Sequence, residues 1–385
     1  MRANSRNIMG RSLMGRNWAV GLAALLCSAA PAAAAVIQVN LVSNVPGVAA
    51  VTDPSLVNAW GMSSSPTSPW WVSDAGTGLA TLYNGNTGAK SALVVTIPTE
   101  SGGTPPSAPT GQVFNNTAGF VLPNGTKSTF IFATENGTIA GWNGGATAVN
   151  TVDLSASGTA FKGLAIGSVA GANYLYATDF TNGVVRVFDT NFAAASLPGS
   201  FVDPALPAGY SPFGIENIGG KIYVTYAFST GGLDEVDGAG LGIVDVFNTD
   251  GTLISRVASP GGPLNAPWGL ALAPSDFDFA NDLLVANFGD GTIDAFDPNS
   301  FAFMGQLLTQ DGTPVQIDGL WDIAFGNGAN AGPKNRLFFT AGPDDEANGL
   351  FGVLQAPEPF TLSIFGAGLV GAAALRRRRE SVKKE

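Results

Sequence analysis

Six copies of one pattern, spaced about fifty residues apart, constrain this chain more than any other feature. A small residue or proline, an aromatic or polar residue and a glycine open an apolar strand. They do so at Ala59-Trp60-Gly61-Met62, Pro109-Thr110-Gly111-Gln112, Phe161-Lys162-Gly163-Leu164, Pro212-Phe213-Gly214-Ile215 and Pro267-Trp268-Gly269-Leu270. A degenerate sixth copy, Leu320-Trp321-Asp322-Ile323, has Asp322 in the glycine position. From Gly61 to Asp322 the intervals are 50, 52, 51, 55 and 53 residues. Such regularity marks a repeat architecture, in which one supersecondary unit buries its apolar faces only against its neighbours.

Each anchor is followed by a β-branched or aromatic strand, such as Tyr176-Ala177-Thr178-Asp179 or Leu284-Val285-Ala286-Asn287. A Gly-containing turn then leads to a third strand, as in Asn182-Gly183-Val184 and Asp290-Gly291-Thr292. Asn-Gly and Asp-Gly between alternating strands are hairpin signals. A fourth strand closes most units, and no segment of the repeat region has helical periodicity. The expected fold is all-β: a six-bladed β-propeller of four-stranded antiparallel blades over residues 36–355. The last unit runs out of chain after Leu354, so the strand Val36–Val42 is expected to complete it and hide two sheet edges.

Composition narrows the chemistry. Residues 36–357 contain no histidine and no cysteine. That removes disulfides, His-ligated zinc, and Ser-His-Asp or Cys-His catalysis. The same segment holds 8 Lys and Arg against 26 Asp and Glu, a net of −18. Such a surface repels nucleic acid and favours solubility and divalent cations. Arg2, Arg6, Arg11 and Arg16, the apolar stretch Trp18–Ala30 and the small residues Pro31–Ala35 have the form of an export signal peptide over residues 1–35. Cleavage is expected after Ala34 or Ala35. Leu26 before Cys27 argues against lipidation.

The other terminus carries Pro357-Glu358-Pro359, an apolar run from Phe360 to Leu375, and Arg376-Arg377-Arg378-Arg379. This three-part tail, residues 356–385, resembles the PEP-CTERM sorting signal of Gram-negative bacteria. The resemblance implies a single membrane helix, an inner-membrane stage before processing, and handling by signal peptidase and exosortase. The arginines behind the apolar run fit a cytoplasmic stop.

Propeller geometry points to candidate residues without a motif. One set entering the mouth of a central channel is Asn58, Trp60, Lys162, Trp268, Asp318 and Trp321. The other is Asp74, Glu135, Asp179, Tyr226 and Asn287, with Glu216 inside the fourth anchor strand. Oxygen ligands at equivalent positions suit calcium, for which Asp74, Glu135, Asp179, Glu216 and Asn287 are the candidates. Crowded carboxylates also serve as acid and base, with Glu135 and Asp179 the candidate pair. Turn hydrogen bonding by the same side chains is the structural alternative, and the tryptophans divide between core packing and a stacking surface.

The runs Ser68-Pro69-Trp70-Trp71-Val72-Ser73-Asp74, Asn265–Pro274, Asn287–Ile293, Gly319-Leu320-Trp321 and Asn348–Gly352 resemble a family of exported bacterial propeller proteins, often with PEP-CTERM tails. A broader likeness is to NHL-type and gluconolactonase-like propellers, and the latter likeness implies a calcium ion in the channel. Two functions follow as expectations. One is an extracellular binding or structural module held in exopolysaccharide matrix. The other is a calcium-dependent hydrolase or lactonase using Asp74, Glu135, Asp179 and Glu216.

Overall fold

Each anchor opens the innermost strand of a blade, and the apolar runs behind it fold back as antiparallel neighbours. The computed structural model describes residues 35–356. The expected export signal, apart from Ala35, and the expected sorting tail from Pro357 onward lie outside them. Among the described residues no helix is long and apolar enough to cross a membrane.

Six sheets follow one another along the chain. The first blade comprises Ala59–Ser63, Trp70–Asp74, Leu79–Tyr83 and Lys90–Thr96, and the second comprises Pro109–Phe114, Phe130–Thr134, Thr138–Trp142 and Val149–Asp153. The fourth is built from Tyr210–Ile218, Lys221–Ser229, Gly242–Asn248 and Leu253–Ala258, and the fifth from Pro267–Leu272, Leu283–Asn287, Ile293–Phe296 and Phe303–Gln306. Every innermost strand packs against the innermost strand of the next blade, and the sixth packs against the first. The protein is therefore a six-bladed β-propeller.

In the sixth blade Leu320–Phe325, Leu337–Ala341 and Leu350–Gln355 are followed outward by Ala35–Ser43. That strand runs antiparallel to Leu350–Gln355, from Ile37 opposite Gln355 to Ser43 opposite Leu350. The two ends of the repeat region thus share one sheet. The third blade differs, having three strands: Phe161–Val169, Ala172–Asp179 and Val184–Phe188. Its outer segment makes a single bridge, Phe188 to Ala194. It then leaves for the fourth blade, where Gly199 N–H donates to Asp250 O at 3.0 Å and Phe201 N–H to Gly251 O at 3.0 Å. Pro198, Pro204 and Pro207 along this path supply no ladder donors.

Most blades are covered on both faces, which explains strands such as Trp70–Asp74 and Phe130–Thr134 that are buried throughout. Six apolar clusters lie between successive blades. In one, Trp71 of the first blade stacks on Phe130 of the second, with ring centroids 4.2 Å apart. A seventh cluster sits on the axis.

The anchors place six strands close together there. In every blade the pairing of the first two strands slips at the anchor, as between Phe161 and Gly163 or Pro212 and Ile215. Such a bulge frees backbone groups from the ladder, and hydroxyls on the second strand take them up. Gly163 N–H donates to Thr178 Oγ1 at 2.7 Å, Gly214 N–H to Thr225 Oγ1 at 2.8 Å, and Asp322 N–H to Thr340 Oγ1 at 3.2 Å. Two of these hydroxyls also donate to the next blade, Thr178 to Phe213 O at 2.6 Å and Thr340 to Trp60 O.

Glycine permits this approach. A Cβ on Gly61 would lie 2.6 Å from Thr110 O, on Gly163 2.9 Å from Phe213 O, and on Gly269 2.6 Å from Trp321 O. Gly269→Ala is expected to lower stability by roughly 2–3 kcal/mol, since the facing atoms are backbone. Gly232→Ala, whose Cβ has its nearest neighbour 3.9 Å away, is expected to stay within about 0.5 kcal/mol of wild type. Urea unfolding of both variants checks the difference.

Candidate functional site

The axis has two unlike ends. At the end where the innermost strands begin, four of the mouth candidates converge as a plug. Trp60 and Trp321 stack with centroids 3.6 Å apart, and Trp268 meets both edge-on at 6.5 and 6.3 Å. Phe288 stacks on Trp321 at 4.0 Å, and Phe180 and Phe213 complete the cluster. Lys162 is 1% exposed, with Nζ 4.9 Å from the Trp60 ring and 5.7 and 5.9 Å from Phe180 and Phe213. Cation–π contact of this kind strengthens as water is excluded.

The buried ammonium is answered from three blades. Glu135 pairs with it directly, Glu235 lies 3.9 Å away, and Glu346 adds its field. Burial pulls the lysine down, but Glu135 and Glu235 outweigh it and hold the ammonium above its ordinary value. Burial pushes Glu235 up to about 7, and pushes Glu346 up as well. Asn58 ties the plug to the rim, accepting from Trp321 Nε1 at 2.8 Å and donating to Glu346 Oε2 at 2.6 Å. Asp318 is exposed on this rim and accepts from Asp344 N–H at 2.9 Å.

Tyr226 does not join the mouth. It is 2% exposed in the core between the third and fourth blades, where burial and Asp245 raise its hydroxyl. The expected ring of carboxylates is likewise turned away from the axis. Asp74, Asp179, Tyr226 and Asn287 share one register position, opposite Ala59, Phe161, Pro212 and Pro267. Their side chains lie inside the blades. Asp179 is paired with Arg186 Nε at 2.6 Å and accepts from Thr159 Oγ1 at 3.0 Å. Asn287 donates to Asp294 Oδ2 at 2.8 Å and accepts from Asn265 N–H at 2.9 Å. Asp74 is fully buried, and burial pushes its carboxyl well above the usual range.

In the second blade that position belongs to Thr134, opposite Pro109. Glu135 is one residue further on and faces the mouth, because successive side chains in a strand point to opposite faces. The five calcium candidates, Asp74, Glu135, Asp179, Glu216 and Asn287, therefore do not converge. Among the described residues no group of three or more Asp, Glu, His or Cys is placed to hold a metal ion. Nor do Glu135 and Asp179 form an acid–base pair, since each is engaged by its own cation.

The other end of the axis is open. Innermost strands of all six blades line a cavity of about 480 Å³, among them Met62, Gln112, Ile166, Glu216, Leu270 and Asp322. Glu216 and Asp322 are its only ionisable lining residues. Glu216, expected in the channel, is there and exposed to the lumen. Surrounding protein, then the field of Asp322, pushes its carboxyl up to about 8, and burial pushes Asp322 up to about 7.

Asp322 was not among the expected site residues, although the sequence marked it as the one anchor without glycine. Its Oδ2 accepts Met62 N–H at 2.8 Å and its Oδ1 accepts Ile323 N–H at 2.8 Å, so it joins the sixth blade to the first. Gln112 braces the neighbouring wall, with Nε2 donating to Gly61 O at 2.9 Å and Trp71 O at 3.1 Å.

A protein of Acanthamoeba polyphaga mimivirus, described as uncharacterised, is 37% identical over 329 residues, covering 81% of this chain and 78% of the relative. The chain belongs to that protein's family. A second uncharacterised protein of the same virus is 32% identical over 331 residues, covering 82% of this chain and 84% of the relative. These relatives are viral, so they do not support the expected membership of a bacterial family with sorting tails. No protein-family profile matches the chain.

Among solved structures, a protein of unknown function from Bacteroides thetaiotaomicron superposes with a TM-score of 0.52 at 12% identity, over 83% of this chain and 75% of that one. The PQQ-bound aldose sugar dehydrogenase from Streptomyces coelicolor gives 0.50 at 12% identity, over 85% and 99%. At such identities the likeness is one of fold.

Two stability measurements follow from the charges. Lys162→Met leaves Glu235 buried without its cation, and is expected to cost roughly 3 kcal/mol near pH 8. The loss should be smaller near pH 5, where Glu235 holds a proton, and urea unfolding at both values reads the difference. In the wild type, Glu216, Glu235, Asp245, Asp294 and Asp322 all lie above their ordinary values of 4.5 or 3.8, at about 8, 7, 7, 6 and 7. The folded state then binds more protons than the unfolded state between the ordinary values and these raised ones. Stability is therefore expected to fall as pH rises from 5 to 8, with a lower melting temperature at pH 8.

Proposed function

We propose that this protein is an exported binding module that seats a polar, hydroxyl-rich ligand in the open end of its channel and works among extracellular polysaccharide. The observation that carries this reading is the cavity of about 480 Å³ bounded by six innermost strands, with two carboxyls turned into it. Small-ligand sites set a few convergent polar groups among apolar walls, and this hollow is lined by polar and apolar surface in about equal parts. Carboxyls accept hydroxyl donors, while the half-buried rings of Phe114 and Phe325 on the wall offer apolar surface to a sugar's apolar side. Export is supported by the basic and apolar leader, and sorting by Pro357-Glu358-Pro359 with Arg376–Arg379. Signal peptidase and exosortase are the proposed processing partners, with the inner membrane as a stage before release to the envelope or matrix.

Titration calorimetry with neutral oligosaccharides tests the seat. Hydrogen bonds to charged groups contribute about 1.5–3 kcal/mol each, so Glu216→Gln or Asp322→Asn is expected to weaken binding by roughly tenfold to a hundredfold. Unchanged affinity in both variants would move the ligand away from the channel.

A second reading rests on one specific observation. Two carboxyls with values near 7 and 8 share one hollow, and such groups serve as general acid and base at neutral pH. A metal-independent hydrolase or lactonase using Glu216 and Asp322 is the enzymatic alternative. Turnover of lactones that disappears in Glu216→Gln would favour it over the binding module.

A further inference from the structure

We infer that the group the open channel selects is a primary ammonium, so that its ligand is an amine-bearing sugar rather than a neutral or acidic one. This rests on the channel being the ligand seat, and it concerns which ligand that seat prefers. The first ground is the composition of the wall. No Lys or Arg lines the cavity, while Glu216 and Asp322 both do. Lys221, Lys334 and Arg336, which follow the innermost strands of the fourth and sixth blades, are not among the lining residues. A ligand carrying carboxylate, sulfate or phosphate would meet two acids and no cation.

The second ground is that neither acid is neutralised by the protein. Glu216 and Asp322 form no ion pair among the described residues, whereas Asp53, Asp179, Asp203, Asp245 and Glu135 all do. Asp322 accepts two backbone N–H groups, which hold its carboxylate in place. Glu216, on the fourth blade, reaches the same hollow from a blade that is not a neighbour of the sixth. A compact cation between them satisfies both at once.

The third ground lies at the closed end of the same axis. There the chain places its own ammonium, that of Lys162, against carboxylates and aromatic faces. The open end has carboxyls and the half-buried rings of Phe114 and Phe325 on its wall, but no ammonium of its own. Both acids resist ionising together, and an arriving ammonium relieves that resistance. Binding then releases a proton from the pair to the buffer, while the ligand keeps its charge.

Calorimetry of the intact chain at pH 7 with glucosamine, glucose, N-acetylglucosamine and glucuronate tests this. Glucosamine is expected to bind at least about tenfold tighter than glucose or N-acetylglucosamine, and glucuronate is expected not to bind. The heat for glucosamine should vary with the buffer's ionisation enthalpy, reporting proton release. Glu216→Gln should bring glucosamine down to the affinity of glucose. Asp322→Asn keeps an oxygen for Met62 N–H and should act in the same direction, with unchanged circular dichroism showing that it folds. Equal affinity for glucosamine and glucose, both lost in the variants, would overturn the ammonium preference and leave the channel seat standing. Sugar binding that ignores both variants, or no sugar binding at all, would overturn the seat and the preference together.

Discussion

The absence of a Cβ at five anchors sets the geometry of everything around the axis. Where the next blade's carbonyl stands 2.6 Å from the place a Cβ would occupy, as at Gly61 and Gly269, only glycine lets neighbouring strands meet. The close approach carries the bulge with it, and the bulge frees amides that need partners. Thr178, Thr225 and Thr340 supply them. A hydroxyl both donates and accepts, so Thr178 and Thr340 also hold the following blade by its backbone carbonyl. Packing, bulge and hydroxyl are therefore one device, and the apolar clusters between blades stand on the spacing it sets.

The sixth anchor shows what happens when that device is altered. Asp322 has a side chain where the others have none, and its carboxylate takes the amide of Met62. The joint between the last and first blades is thus made by a side chain at the axis, and by Ala35–Ser43 at the rim. One consequence is chemical. A residue that serves closure also brings a carboxyl into the lumen that Glu216 faces, where no Lys or Arg lines the wall.

The repeat spacing made the six blades and their inner strands legible, because identical units at a fixed interval can bury their faces in few ways. Glu216 was also legible as a channel residue from its place just inside an anchor strand. The carboxylate ring was not. Asp74, Asp179 and Asn287 sit at a strand end that looks open in sequence, yet the two-residue alternation turns them into the blades. Glu135 escapes that fate by one position, which is why it meets Lys162 instead. Asp322 was visible as an exception in the repeat, but its role depends on a contact with Met62, 260 residues away in sequence. No periodicity encodes that contact. The third blade's diverted outer strand is legible only in its prolines, and the blade count hides it.

The two ends of the axis pose one electrostatic problem and resolve it differently. At the closed end, Glu135, Glu235 and Glu346 converge on Lys162, and the aromatic rings around it keep water out. The net charge there is still negative, so burial raises Glu235 and Glu346 rather than leaving all three fully ionised. At the open end two carboxyls converge with no lysine, and the same penalty falls on Glu216 and Asp322. Perturbed carboxyls without a partner in the protein cluster at functional sites, where something else supplies the partner. Bridging blades explains Asp322. It does not explain Glu216, which joins no blade to another and forms no ion pair among the described residues. A carboxyl facing the lumen, with no structural duty of its own, is the strongest physical argument for the proposed ligand seat in the open channel.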